Sequence, residues 1–170
     1  MGGPDPVGRT VVIGLGTPLM GDDGLGLVAL ERLRALAPAG VELVDGGTWG
    51  MMLLPTVESA DRLLLLDAIA ADQAPGTLIE LEDDAVPRHF NLKFSTHDID
   101  LLDVLALAAL RGRTPPRLVA LGLQPHRVEM VTALSPLIER ALDDVIDRAV
   151  AILDDWGHPV AALEARACTR

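Results

Sequence analysis

The stretch Thr10-Val-Val-Ile-Gly-Leu-Gly16 decides the fold class, because it predicts a short buried β-strand that runs directly into a glycine turn. Beyond that turn, apolar residues recur at helical spacing, which predicts a helix over about residues 23–37. Residues 41–44 then have strand composition, and the turn sequence Asp45-Gly46-Gly47 closes them. The chain therefore opens with a strand–helix–strand unit.

The rest of the chain continues this alternation. Residues 62–67 form an apolar run typical of a strand covered on both faces, and residues 117–123 predict another. Residues 77–82 alternate and carry two acids, which suits an edge strand. Helices are predicted over 48–59, over 97–110 and from an N-cap at Ser135 to about Gly157, with a loop of about a dozen residues after the edge strand. The expected fold class is α/β, with a twisted, mostly parallel sheet of about five strands, an edge strand that could run antiparallel, and helices on both faces.

Length and composition narrow the function classes. The 170 residues suit one domain, which we place at 10–157 between a flexible N-terminus (1–9) and a tail (158–170). The net charge of −11 argues against nucleic acid as a partner. No apolar run reaches the roughly 18 residues of a membrane span, so no membrane association is expected. The single Cys168 cannot form an intramolecular disulfide, which fits a cytoplasmic protein, and the lack of heptads favours a monomer.

Three residues far apart in the sequence are candidates for chemistry. Asp67 directly follows four leucines, and a carboxylate that ends a buried strand must be paired, hydrogen-bonded or holding a cation. Asp23 follows the first strand, although Asp22 and Asp23 could simply favour a helix N-terminus. His97 stands at the predicted start of a helix, where the dipole favours the neutral, metal-binding imidazole.

Two arrangements compete for the turn after the first strand. Gly14 and Gly16 could open a dinucleotide-binding fingerprint with Asp45 on the ribose, but Leu19 stands where the third glycine belongs. Alternatively, Asp23, Asp67 and His97 converge on one cation, with water completing its coordination. A metal-bound water could then be the attacking group, because the cation lowers its pKa.

The sequence resembles the nickel–iron hydrogenase maturation peptidases over roughly residues 10–155. The resemblance rests on Ile13-Gly-Leu-Gly-Thr-Pro-Leu-Met-Gly-Asp-Asp-Gly-Leu-Gly26, Asp45-Gly-Gly-Thr48, Leu66-Asp67-Ala68, and Ser95-Thr-His97 before Leu101-Leu-Asp-Val-Leu105. It implies a twisted α/β sheet sandwiched by helices and an endopeptidase that removes the C-terminal extension of a hydrogenase large-subunit precursor.

The resemblance also implies a metal and its ligands. The nickel would be carried by the precursor and read by Asp23, Asp67 and His97, so that cleavage occurs only after metal insertion; another divalent cation could occupy the isolated site. The family often has Glu as the first ligand and Asn after the second glycine, where this chain has Asp23 and Thr17, so Asp22 stays an alternative ligand. A nucleotide-binding module and a non-catalytic escort of the precursor are the alternative functions.

Overall fold

The first strand lies inside a five-stranded sheet, with a partner on each side. A computed structural model of the protein describes residues 8–90 and 101–160. Its strands are β1 (Thr10–Leu15), β2 (Val41–Gly47), β3 (Arg62–Ala68), β4 (Leu78–Glu82) and β5 (Arg117–Leu123). They stand in the order β2-β1-β3-β5-β4, with β4 antiparallel at one edge and the other four parallel. This confirms the predicted α/β class and the antiparallel edge strand.

In the described part of the chain, five α-helices cover the two faces of this sheet. They are α1 (Leu25–Leu36), α2 (Leu54–Glu58), α3 (Ala85–Phe90), α4 (Leu101–Leu110) and α5 (Pro136–Asp155). Short 3-10 helices at Gly21–Gly24 and Gly50–Leu53 lead into α1 and α2. One core joins α1 and α5 to the sheet, and a second core joins the other three helices to the opposite face.

The leucine run of β3 is apolar throughout because it serves both cores. Leu64 and Leu66 pack with α1 and α5, while Leu63 and Leu65 pack on the other face, as the two-residue period of a strand requires. All four side chains are fully buried. A central parallel strand covered by helices on both faces therefore needs four apolar residues in a row.

Two predicted segments differ from the structure. The loop expected after residue 82 contains α3, a helix of six residues, too short to show a helical period and carrying buried Val86. The predicted helix 48–59 is divided into a 3-10 helix and α2, because Pro55 stands at the start of α2, where its missing N–H breaks no hydrogen bond. The predicted helix 97–110 is described only from Leu101 onward.

The end of α5 returns to the start of β1. His158 is buried, with its Nε2 2.8 Å from Thr10 Oγ1 and its Nδ1 3.0 Å from the carbonyl oxygen of Ala39. Val160 is buried as well. These first residues of the predicted tail thus pack on the domain. Within the described residues, no helix has both the length and the apolarity to cross a bilayer.

Candidate active site

The topology marks one place in the sheet for a binding site. From β1 the chain crosses to β2 on one side, and later returns to place β3 on the other side. The connections that leave the carboxyl ends of β1 and β3 therefore diverge. Ligands of open α/β sheets bind in the crevice at such a switch point. Asp23 follows β1 and Asp67 lies near the carboxyl end of β3, so both predicted acids lie at this edge.

Asp23 is held by the turn that follows β1. The backbone N–H of Thr17 donates to its Oδ2 at 2.9 Å. Gly16 makes this turn possible, since its φ is 97° and a Cβ there would lie 1.9 Å from the carbonyl oxygen of Asp23. In the described part of the chain no hydrogen bond reaches Asp23 Oδ1, and the side chain is half-buried. One carboxylate oxygen of Asp23 is thus fixed by the backbone.

The packing of α1 onto the carboxyl ends of β1 and β3 brings the end of β3, which carries Asp67, close to the segment that carries Asp23. A Cβ on Gly26 would lie 2.1 Å from the carbonyl oxygen of Leu66 and 2.5 Å from that of Leu15, so only glycine permits this approach. The 3-10 helix that carries Asp23 contacts β3 in consequence. Asp67 is half-buried, and its Oδ1 accepts a hydrogen bond from the N–H of Ala68 at 2.8 Å.

Asp22 has a different role from its neighbour. Its side chain is fully buried, and Oδ1 accepts the N–H of Ser135 at 2.6 Å. Oδ2 accepts the N–H groups of His126 and Arg127, at 3.0 and 2.7 Å, and the Ser135 hydroxyl at 2.9 Å. Burial by itself raises the pKa of Asp22, but these hydrogen bonds outweigh it and hold the pKa below its ordinary value of 3.8. Asp22 therefore ties the loop after β5 to the turn after β1.

The sequence analysis did not predict that Ser135 hydrogen-bonds to the Asp22 carboxylate. It was expected to cap α5, and it does occupy the N-cap position, but its hydroxyl makes no capping bond and donates to Asp22 instead. The two residues are 113 positions apart, so no local pattern could have paired them.

The third predicted ligand, His97, lies outside the described residues, as do Ser95 and Thr96. Among residues 8–90 and 101–160, no three His, Cys, Asp or Glu side chains come together in a group that could hold a metal ion.

Asp45, the ribose-binding candidate of the dinucleotide alternative, is exposed at the end of β2. The N–H of Thr17, which such a site would offer to a phosphate, is already bonded to the Asp23 carboxylate.

Comparison with known proteins decides the family. The model of the hydrogenase maturation protease family matches residues 28–152. The hydrogenase 2 maturation protease of Escherichia coli K12 is 35% identical over 160 residues, covering 92% of this chain and 98% of that protein. The chain belongs to the hydrogenase maturation protease family. The hydrogenase expression/formation protein HupD of Rhodobacter capsulatus is 39% identical over 156 residues, covering 89% of this chain and 74% of that protein.

This maturation protease has the same fold as the solved structures of its relatives. The hydrogenase maturating endopeptidase HybD from E. coli superposes with a TM-score of 0.84 at 34% identity, covering 89% of this chain and 95% of that one. A solution structure of an endopeptidase from the same species superposes with a TM-score of 0.81 at 32% identity. The resemblance drawn from the sequence is confirmed, and the protein is a hydrolase that acts on peptide bonds. Membership of this family also argues against the dinucleotide-binding alternative.

Proposed function

We propose that this maturation protease removes the C-terminal extension from a nickel-loaded hydrogenase large-subunit precursor, and that Asp23, Asp67 and His97 ligate the nickel of that precursor. One observation carries the proposal: Asp23 and Asp67 lie at the carboxyl ends of neighbouring parallel strands, at the switch point of the sheet. The nickel is part of the substrate in this scheme.

The donor set suits such an ion. Two carboxylates and one imidazole form a mixed oxygen–nitrogen site, and imidazole is a ligand that nickel accepts readily. In the sequence, His97 precedes Leu101, the first residue of α4, by four positions. α4 leads back to the amino end of β5, which puts its own start toward the edge that carries the two aspartates.

The proposed reaction is a hydrolysis that these residues organise. The nickel, held by the three side chains, polarises the scissile carbonyl or the attacking water. Water attacks the carbonyl carbon, one of the two carboxylates accepts its proton, and the C–N bond breaks as the leaving amine is protonated. No nucleophilic serine or cysteine is needed, and Cys168 takes no part.

Cleavage of a defined precursor tests the proposal. The full chain is incubated with large-subunit precursor, with and without inserted nickel, and the products are followed by intact mass. We expect loss of a C-terminal peptide only from the nickel-loaded precursor. Asp23→Asn, Asp67→Asn and His97→Ala should each abolish it, whereas Asp154→Asn, an exposed change on α5, should not.

Each alternative predicts a different result. Equal cleavage of nickel-free precursor would overturn nickel recognition while leaving the protease activity in place. Full activity of the three site variants would overturn the ligand assignment. Binding of precursor without shortening would indicate the non-catalytic escort.

We also propose that the protease acts as a cytoplasmic monomer. The single cysteine supports a reducing compartment. The antiparallel edge strand β4 carries Glu80 and Glu82, which discourage pairing of edges between molecules. Light scattering after size exclusion should give the mass of one chain, 18.0 kDa.

A further inference from the structure

The connection from β5 to α5, residues 124–135, contains none of the proposed nickel ligands, yet it is hydrogen-bonded to both segments that carry the two aspartates. Asp23 stands in the 3-10 helix after β1, and Asp67 stands near the end of β3. The paired residues of β1 and β3 end at Gly14 and Leu66, so both carboxylates lie beyond the last pair. The pairing of these two strands therefore does not by itself set the separation of the carboxylates, and a third segment that holds both can do so.

Gln124 holds the segment that follows Asp67. Its side-chain Oε1 accepts the N–H of Ala71 at 2.7 Å and the N–H of Gln73 at 3.2 Å. Both partners are donors, so the oxygen of the amide faces them and its NH2 group does not. Strand pairing brings β5 to this place, since Asp67 is paired with Gly122, where a Cβ would lie 1.8 Å from the carbonyl oxygen of Asp67. The chain that leaves Asp67 is thus bound to β5 by its backbone and to the residue after β5 by one amide.

Asp22 holds the segment that carries Asp23 to the same connection. Its carboxylate accepts two N–H groups at the start of the loop 126–135, and the N–H and hydroxyl of Ser135 at the end of that loop. One buried side chain therefore closes the loop where its two ends meet. The N–H of Asp22 also donates to the carbonyl of Arg127 at 3.0 Å. Because Asp22 and Asp23 are adjacent in one 3-10 helix, the bonds that hold Asp22 also hold the backbone of Asp23.

We infer that Gln124 and Asp22 are positioning residues of this protease, which act through the loop after β5 to set the separation of the Asp23 and Asp67 carboxylates. The inference rests on the proposed function, in which both carboxylates ligate the nickel of the precursor. A metal ion accepts its ligands only within about 0.2 Å of their preferred distances, so both carboxylates must be in place together. A misplacement of about 1 Å at a reacting centre can lower a rate about 100-fold.

Two substitutions at Gln124 test its part, with kinetics measured on the nickel-loaded precursor. Gln124→Leu has a side chain of similar size without an acceptor, so the segment after Asp67 loses two hydrogen bonds. We expect kcat to fall about tenfold or more and KM to change less than about threefold, because the carboxylates act in the reacting complex. Gln124→Glu is the matched control. It keeps an acceptor oxygen at a half-buried position, so its kcat should stay within about twofold of the native value.

Asp22→Asn tests the other segment in the same assay and should also lower kcat about tenfold or more. His158→Ala is its control for lost stability. His158 is buried too and makes two side-chain hydrogen bonds, but to Thr10 and Ala39, at the amino ends of β1 and β2 and thus at the opposite edge of the sheet. His158→Ala should therefore melt at a lower temperature than the native protein and keep its kcat and KM. All assays are run below the melting temperature of every variant, and Gln124→Leu decides the inference if Asp22→Asn does not fold.

The outcomes separate this inference from the proposed function. Native kcat in Gln124→Leu and Asp22→Asn would overturn it while leaving the proposed function in place. A raised KM with native kcat would assign the loop to precursor binding and would overturn it as well. An equal loss of kcat in His158→Ala or in Gln124→Glu would show that the hydrogen bonds to the loop are not what the rate depends on, with the same consequence. If the native protein does not cleave the nickel-loaded precursor, it is the proposed function that fails.

Discussion

Replacing Asp22 by Asn tests how strongly one buried carboxylate holds the active-site edge together. The native side chain is fully buried and accepts four hydrogen bonds, three of them on Oδ2. An amide has only one acceptor oxygen. If that oxygen takes the place of Oδ2, its NH2 group faces the N–H of Ser135, and two donors then meet without an acceptor.

The expected loss of stability follows from this geometry. The unpaired donor costs about 1–3 kcal/mol, and each of the three remaining bonds loses about 1 kcal/mol with the charge. The smaller burial penalty of a neutral amide offsets part of this, so we expect about 3 kcal/mol of lost unfolding free energy. For a domain of this length that corresponds to a fall of roughly 6–12 °C in Tm.

The pH dependence provides an independent check of the same group. The pKa of Asp22 is lowered in the folded protein, so its carboxylate stabilises the fold at pH values above the unfolded value of 3.8. This contribution is lost as the pH falls through the folded pKa. The difference between native protein and Asp22→Asn should therefore be largest near neutral pH and should shrink below 3.8.

Urea unfolding followed by circular dichroism measures both effects. Asp143→Asn is the control, because Asp143 is an exposed partner of Arg32 at 2.7 Å and such a pair contributes at most about 1 kcal/mol. If Asp22→Asn were within about 0.5 kcal/mol of the native protein at neutral pH, or if the difference did not depend on pH, our account of this carboxylate would be refuted.

Three further changes have predictable effects. Gly26→Ala should destabilise the protein by more than about 2 kcal/mol in thermal melts, because the new Cβ would meet the carbonyl oxygen of Leu66. Alanine normally stabilises a helix, so a neutral or stabilising result would contradict the close approach of α1 to β3. His158→Ala should cost about 1–3 kcal/mol in urea unfolding, since it leaves buried polar groups unpaired. Arg148→Lys should cost about 0.5–1 kcal/mol, because lysine cannot reproduce the paired bonds to Glu80 at 2.5 and 2.6 Å. The Arg148 hydrogen bonds lower the pKa of Glu80, so this last difference should begin to shrink as the pH falls below 4.5 and be lost as the pH falls through the lower pKa of the folded protein.

Most of the fold could be predicted because its signals are local. The leucine run of β3, the apolar period of α1 and the proline and glycine residues at element ends each lie within one short window. Segments with weak local signals were harder. The six residues of α3 complete fewer than two helical turns, so their period could not be distinguished from a loop.

For the candidate site, what the sequence predicted and what the structure decided differ more clearly. Asp23 and Asp67 could be predicted as candidates from their positions after strands, because a carboxylate next to a buried strand needs a partner. The sequence could not separate Asp22 from Asp23, since both stand in the same turn and have the same chemistry. The structure gives Asp22 four donors from a loop more than 100 residues away and leaves Asp23 with one backbone donor.

The amino-acid sequence alone determined the class of this protein, the order of its strands along the chain and the residue types available for chemistry, since these depend on short-range patterns of polarity and spacing. Only the tertiary structure decided which acid is buried and which strand ends adjoin one another. Those properties depend on how distant segments pack, and the packing depends on close backbone approaches such as that of Gly26 to Leu66, which no local pattern encodes.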